Sequence, residues 1–67
     1  MPTITVNGTR QDVAEGTSLL VYLQDRKIDP SHVVAEVNGA VVKKERFPEL
    51  KLKPGDTVEV IRFVGGG

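Results

Sequence analysis

Asp56-Thr-Val-Glu-Val-Ile-Arg-Phe-Val-Gly-Gly-Gly67 closes the sequence with an apolar strand that runs straight into three glycines. Successive residues of a strand point to opposite faces. Val58, Val60 and Arg62 therefore share one face, and Glu59, Ile61 and Phe63 share the other. The strand anchors this end of the chain in a folded body. The glycines then form a thin arm without side chains that ends in a free carboxylate. Gly makes up about 7% of average usage, so three in a row at a fixed place arise by chance roughly three times in ten thousand. Chance is a weak rival; a bland floppy tail or an expression scar stays open as the plain alternative. Three extended residues reach roughly 10 Å, enough to thread a narrow cleft in a partner. Lacking a Cβ, they allow close backbone approach at an entropic cost when ordered.

Working back from that strand, the remaining chain reads as its scaffold. Thr3-Ile-Thr-Val6 alternates polar and apolar, and Asn7-Gly8 is a two-residue hairpin signal because both positions need φ > 0. Thr9 to Val13 is the more polar return strand, suited to a sheet edge. Thr17 or Ser18 caps a helix of two to three turns. Its stripe is Leu19, Leu20 and Leu23 with Lys27 at the end, and Tyr22 lies half-buried beside it. Asp29-Pro30 stops the helix. His32 to Val37 is a third strand, Asn38-Gly39 a second tight turn, and Ala40 to Val42 continues beyond it. Lys43 to Phe47 forms a single helical or 3-10 turn closed by Pro48, with Phe47 as its anchor. Leu50 and Leu52 make a short strand, and Lys53-Pro-Gly-Asp56 turns the chain into the last one. The order β-β-α-β-β-β predicts an α+β fold. A mixed sheet of four to five strands carries one main helix, with the first and last strands parallel in the middle. This is a β-grasp, or ubiquitin-like, roll. Residues 1–64 form one domain, and Gly65 to Gly67 form a flexible glycine tail.

Composition narrows the function. The chain has 67 residues, no Cys, one His, and nine basic against nine acidic side chains. Disulfides and Cys-based metal sites are excluded, and His32 by itself builds no metal site. Balanced charge gives no global field for nucleic acid or membrane. No apolar run approaches the ~20 residues of a membrane span, and the start lacks a signal-peptide pattern. The expectation is a small cytoplasmic domain without room for an enclosed catalytic pocket. Glu45 and Glu49 sit in a solvated charged turn. Lys43, Lys44 and Arg46 read as a solvated basic face.

The two faces of the last strand carry different roles. With Val58 and Val60 toward the helix, Ile61 and Phe63 lie on the open face beside the glycines, an exposed apolar pair that suggests docking. The opposite assignment, with Ile61 and Phe63 in the core, stays open at this point.

Three stretches carry a family resemblance: Val37-Asn-Gly39 followed by Val41-Val42, the Lys-Pro-Gly-Asp56 turn, and Val58 through Gly67. Together they resemble the prokaryotic ubiquitin-like sulfur carriers, and among them the sulfur-carrier family of thiamine biosynthesis (ThiS), over essentially the whole chain. The resemblance implies that an E1-like adenylyltransferase (ThiF-like) uses ATP to adenylate the terminal carboxylate. A sulfur donor such as a cysteine desulfurase then converts it to a thiocarboxylate, and a thiazole synthase (ThiG-like) takes the sulfur into the thiazole ring. Gly67 would be the modified residue and Gly65 and Gly66 the threaded arm. Ile61, Arg62 and Phe63 would form the partner-binding patch. The chain would bind no cofactor itself and would not be an enzyme. Its residues agree: it contains no Gly-x-x-x-x-Gly-Lys-Ser/Thr phosphate loop, so ATP would be held by the partner. Without Cys, sulfur could ride covalently only at the terminus. The small subunit of molybdopterin synthase shares this chemistry and is the nearest alternative. A ubiquitin-like protein modifier and a non-covalent β-grasp binding module are further ones.

Overall fold

The computed structural model describes residues 1–63; the expected Gly65–Gly67 arm and its boundary lie outside the described residues. The strands are β1 (Thr3–Val6), β2 (Thr9–Asp12), β3 (Val33–Val37), β4 (Ala40–Val42) and β5 (Thr57–Arg62), with one helix, α1 (Leu19–Asp25). Single 3-10 turns cover Pro30–His32 and Lys44–Arg46. The sheet order is β2-β1-β5-β3-β4, with β5 parallel to β1 and antiparallel to β3. The first and last strands thus lie side by side in the middle, the β-grasp arrangement that the sequence predicts. The polar strand β2 lies at an edge.

One side of the sheet holds the core. Ile4, Val33, Ala35 and Val58 meet Leu19, Tyr22 and Leu23 of α1, closed off by Phe47 and Leu52. Seven residues are too few to hold a helix in water alone, so α1 persists through this burial, worth about 1.5–3 kcal/mol for each fully buried Leu. Ser18 caps it: its hydroxyl accepts from the Val21 N–H at 3.1 Å. Tyr22 is buried rather than half-buried, and its hydroxyl donates to the Gln11 side chain on β2.

Three local expectations need correction. Asp29-Pro30 does not end the helix. The chain leaves it earlier, at Lys27, which takes the left-handed conformation (φ 59°). The Lys27 N–H then bonds to the Gln24 carbonyl, and the Ile28 N–H to the Leu23 carbonyl. This pairing is a Schellman motif, and it satisfies carbonyls the helix end would leave free. Asp29-Pro30 instead starts the next 3-10 turn, where Pro sits at the first position. His32 therefore closes that turn, and β3 begins at Val33. Leu50 and Leu52 do not form a strand. Between them Lys51 makes one isolated bridge to Ser18, flanked by bonds from the Leu19 N–H to the Leu50 carbonyl and from the Leu52 N–H to the Thr17 carbonyl. The turn at Lys44–Arg46 runs on past Pro48, with Glu49 and Leu50 N–H groups both bonding back to the Arg46 carbonyl.

Both Asn-Gly turns bind β5 through their asparagine side chains. Beyond Val6 the Asn7 amide continues the pairing: its Oδ1 accepts from the Val60 N–H at 2.9 Å and its Nδ2 donates to the Val60 carbonyl at 3.2 Å. Beyond Val37, Asn38 Oδ1 accepts from the Thr57 N–H at 2.9 Å and Nδ2 donates to Asp56 at 3.0 Å. Asn also tolerates the positive φ both turns require, 49° and 53°. Asn38→Gly keeps that backbone and removes only the amide. At about 1 kcal/mol for these solvent-facing bonds, it should lower the melting temperature by roughly 4–8 °C in a thermal scan.

Candidate functional site: the exit of the central strand

The alternation in β5 resolves the two faces. Val58 is fully buried and Val60 packs against the core, whereas Ile61 and Phe63 are 51% and 44% exposed. The helix side therefore takes the valine pair. Ile61 stands opposite Val34 of β3, itself 39% exposed. Arg62 pairs in register with Val33 and is exposed at the strand end, on the helix side of the sheet. The structure thus brings Ile61, Arg62 and Phe63 together at the exit but divides them between two faces.

Phe63 is held where it leaves the sheet. Its N–H donates to the His32 carbonyl at 3.2 Å. The Lys44 ammonium lies 5.4 Å from the centre of its ring, within cation–π range. The same ammonium donates to the Ser31 carbonyl at 3.0 Å. One lysine therefore ties both 3-10 turns to the last described residue. Lys43, Lys44 and Arg46 are exposed, as the solvated-face reading expects, and Lys44 makes these two contacts besides. Its sequence signal was slight, because a lysine in a charged turn looks the same whether or not a ring lies beneath it.

Asp29 fixes the other turn. Its carboxylate accepts from the Ser31 hydroxyl at 2.7 Å and the Ser31 N–H at 2.9 Å, and these bonds hold its pKa below the usual carboxylate value. A carboxylate with a depressed folded-state pKa adds stability above its unfolded pKa and loses it only as pH falls through the folded one. The Asp29 cap of the Pro30–His32 turn thus stays formed at neutral pH. Shallow hollows flank the exit. One, of about 360 Å³, is lined by Lys27, Asp29, His32, Val33, Arg62 and Phe63. It is open and has the character of a docking surface rather than of an enclosed substrate site. Among the described residues no helix is long and apolar enough to cross a membrane.

Comparison with known proteins decides the family. The sequence model of the ThiS family matches residues 4–67. The chain belongs to the ThiS family. The sulfur carrier protein ThiS of Bacillus subtilis (strain 168) is 38% identical over 60 residues, covering 90% of this chain and 77% of that protein. The crystal structure of the thiamine biosynthesis protein (ThiS) from Geobacter metallireducens matches with a TM-score of 0.83 at 37% identity, covering 97% of this chain and 99% of the other. A thiazole synthase from Magnetococcus marinus is 34% identical over 64 residues, which are 96% of this chain but 20% of that protein. The chain thus spans about a fifth of the length of the thiazole synthases it matches. Among the β-grasp sulfur carriers these matches favour the ThiS family over the molybdopterin synthase subunit.

Proposed function

We propose that this ThiS-family chain is a sulfur carrier of thiamine biosynthesis, a co-substrate of partner enzymes rather than an enzyme. Residues 1–64 act as the body and Gly65–Gly67 as the arm. The observation that supports this most is the placement of β5: the strand leading to the glycines is the central, doubly paired strand of the sheet. A reactive terminus mounted there is presented from a rigid base.

The chemistry follows from the carboxylate. A carboxylate is a poor electrophile because its oxygen is a poor leaving group. An E1-like adenylyltransferase supplies ATP; a Gly67 carboxylate oxygen attacks the α-phosphorus, and pyrophosphate leaves. The outer sulfur of a persulfide then adds to the acyl carbon and expels AMP, and a thiol reductant cleaves the resulting acyl disulfide, being oxidised to a disulfide and leaving the thiocarboxylate. The ultimate source of that sulfur is a donor such as a cysteine desulfurase. A thiazole synthase draws on the thiocarboxylate sulfur. ATP is bound by the adenylating partner, and this chain holds no cofactor. Ile61 and Phe63 on the open face, with Arg62 at the rim, contact the partners while Gly65 and Gly66 thread their clefts.

The test is intact mass with C-terminal fragmentation after incubation with ATP, a sulfur source and the E1-like enzyme of the same organism. Replacement of one oxygen by sulfur at Gly67 is the expected result. Localisation is essential, because Met1 oxidation adds nearly the same mass. An unmodified Gly67 beside a control carrier that the enzyme does modify would overturn the reading. A second variant separates docking from stability. Phe63→Asp should weaken partner binding by about tenfold or more, as hydrophobic anchors do when replaced by a charge, while the melting temperature changes little. A large loss of melting temperature with unchanged binding would assign Phe63 to the fold instead.

A further inference from the structure

The last strand loses its partners one side at a time. β1 ends its pairing with β5 at Val58, and the Asn7 amide carries that side only as far as Val60. Beyond Val60, among the described residues, β5 is held from the β3 side alone, and β3 begins at Val33, opposite Arg62. The final backbone bond therefore reaches past the strand. The Phe63 N–H donates to the carbonyl of His32, in the Pro30–His32 turn, at 3.2 Å. One bond at the long end of the N–H···O range fixes a point but not a direction.

Lys44 acts on both partners of that bond. Its ammonium donates to the Ser31 carbonyl at 3.0 Å, in the turn that accepts from Phe63, and lies 5.4 Å from the centre of the Phe63 ring. The first contact steadies the acceptor turn, and the second steadies the donor residue. The lysine is itself firmly mounted. Its carbonyl accepts from the Phe47 N–H at 3.0 Å, and Phe47 is buried in the core. Core, Phe47, Lys44 and Phe63 thus form one line of support that ends where the strand leaves the sheet. The neighbouring Lys43, also exposed, makes no such side-chain contact among the described residues.

The geometry points to Lys44 as a positioning residue for the reaction at Gly67: it fixes the direction in which the chain leaves the body at Phe63. The inference rests on the sulfur-carrier reading for the reaction it serves. An exit ordered in advance lowers the entropy lost when a partner captures the end of the chain. After capture the partner's own contacts hold that end, so the lysine acts on capture and not on the chemical step.

The experiment compares the full chain with K44M, which keeps an unbranched stem and removes the ammonium, with K44R, and with K43M as a control for lost charge in the same turn. Amide hydrogen exchange is measured on the free proteins, and steady-state adenylation on the same samples with the E1-like enzyme of the same organism. In K44M the Phe63 amide should exchange about three- to tenfold faster, while the Ala35 amide in the sheet is unchanged. KM should rise about fivefold with kcat unchanged, the mark of lost binding rather than of lost transition-state stabilisation. K44R should restore both values, because a guanidinium donates to a carbonyl and stacks on a ring. K43M should match the wild type. A raised KM with unchanged Phe63 exchange would mean that Lys44 touches the partner directly and would overturn the inference. So would faster exchange with KM unchanged, a fall in kcat alone, or a K43M that behaves like K44M. A wild type left unmodified beside a control carrier that the enzyme does adenylate would overturn the carrier reading and the role in capture with it. Faster Phe63 exchange in K44M would then leave only the brace at the exit.

Discussion

Adding one alanine after Gly67 is expected to abolish thiocarboxylate formation while leaving the melting temperature unchanged. The acceptor in the proposed reaction is a carboxylate on a glycine, and the proposed threading of the arm requires a cleft that would admit backbone and little more. An added alanine moves the carboxylate about 3.5 Å further along and puts a Cβ beside it. Misplacement on the scale of 1 Å can cost about a hundredfold in rate, so a shift of this size should bring transfer below detection. The body should not notice, because among the described residues every buried side chain of the core lies from Ile4 to Val58. Deleting Gly67 should have the same effect for the opposite reason, a carboxylate that falls short. Intact mass after the sulfur-transfer reaction and a thermal scan of the same samples check both. Sulfur transfer retained on the extended chain would refute the carrier role.

Phe47→Ala is expected to remove cooperative folding. Phe47 is the largest of the fully buried side chains, at 1% exposure. Its carbonyl also accepts from the Leu20 N–H at 3.1 Å, so the turn that carries it is tied to the helix start. Truncating a buried Phe to Ala costs about 3–5 kcal/mol. A domain of 67 residues holds only roughly 3–10 kcal/mol in total. The loss is therefore comparable to the whole stability. Circular dichroism should show a broad or absent melting transition for Phe47→Ala. Phe47→Leu, which refills most of the volume, should keep a cooperative transition at lower temperature. A cooperative melt of Phe47→Ala near that of the wild type would show that the core closes without this anchor.

The sequence made the sheet legible because period-two alternation and two Asn-Gly turns are local signals with direct physical causes. They placed β1, β2 and β4 and located the turns around them. The stripe of α1 was legible for the same reason. Its end was not: the Schellman motif depends on Lys27 adopting a left-handed conformation, and lysine carries no mark of that preference. Proline at position 30 drew the boundary too late, since it also suits the first position of a new turn. Leu50 and Leu52 have strand spacing, but pairing needs a partner, and only Ser18 is available. At the candidate site, the exposed face of β5 was one of two alternatives that alternation alone left open; burial of Val58 chose between them. Lys44 over Phe63 joins residues 19 positions apart. Such a contact arises from the register of the whole sheet, which no single stretch encodes.

The place of β5 between β1 and β3 has a mechanical consequence. Any tug on Phe63 along the chain loads the strand lengthwise. Its bonds to both neighbours lie across that direction, together with the Asn7 and Asn38 amides. They resist in shear and have to fail together, whereas an edge strand peeled sideways would give way one bond at a time. The body behind Phe63 is thereby braced against a pull on that end.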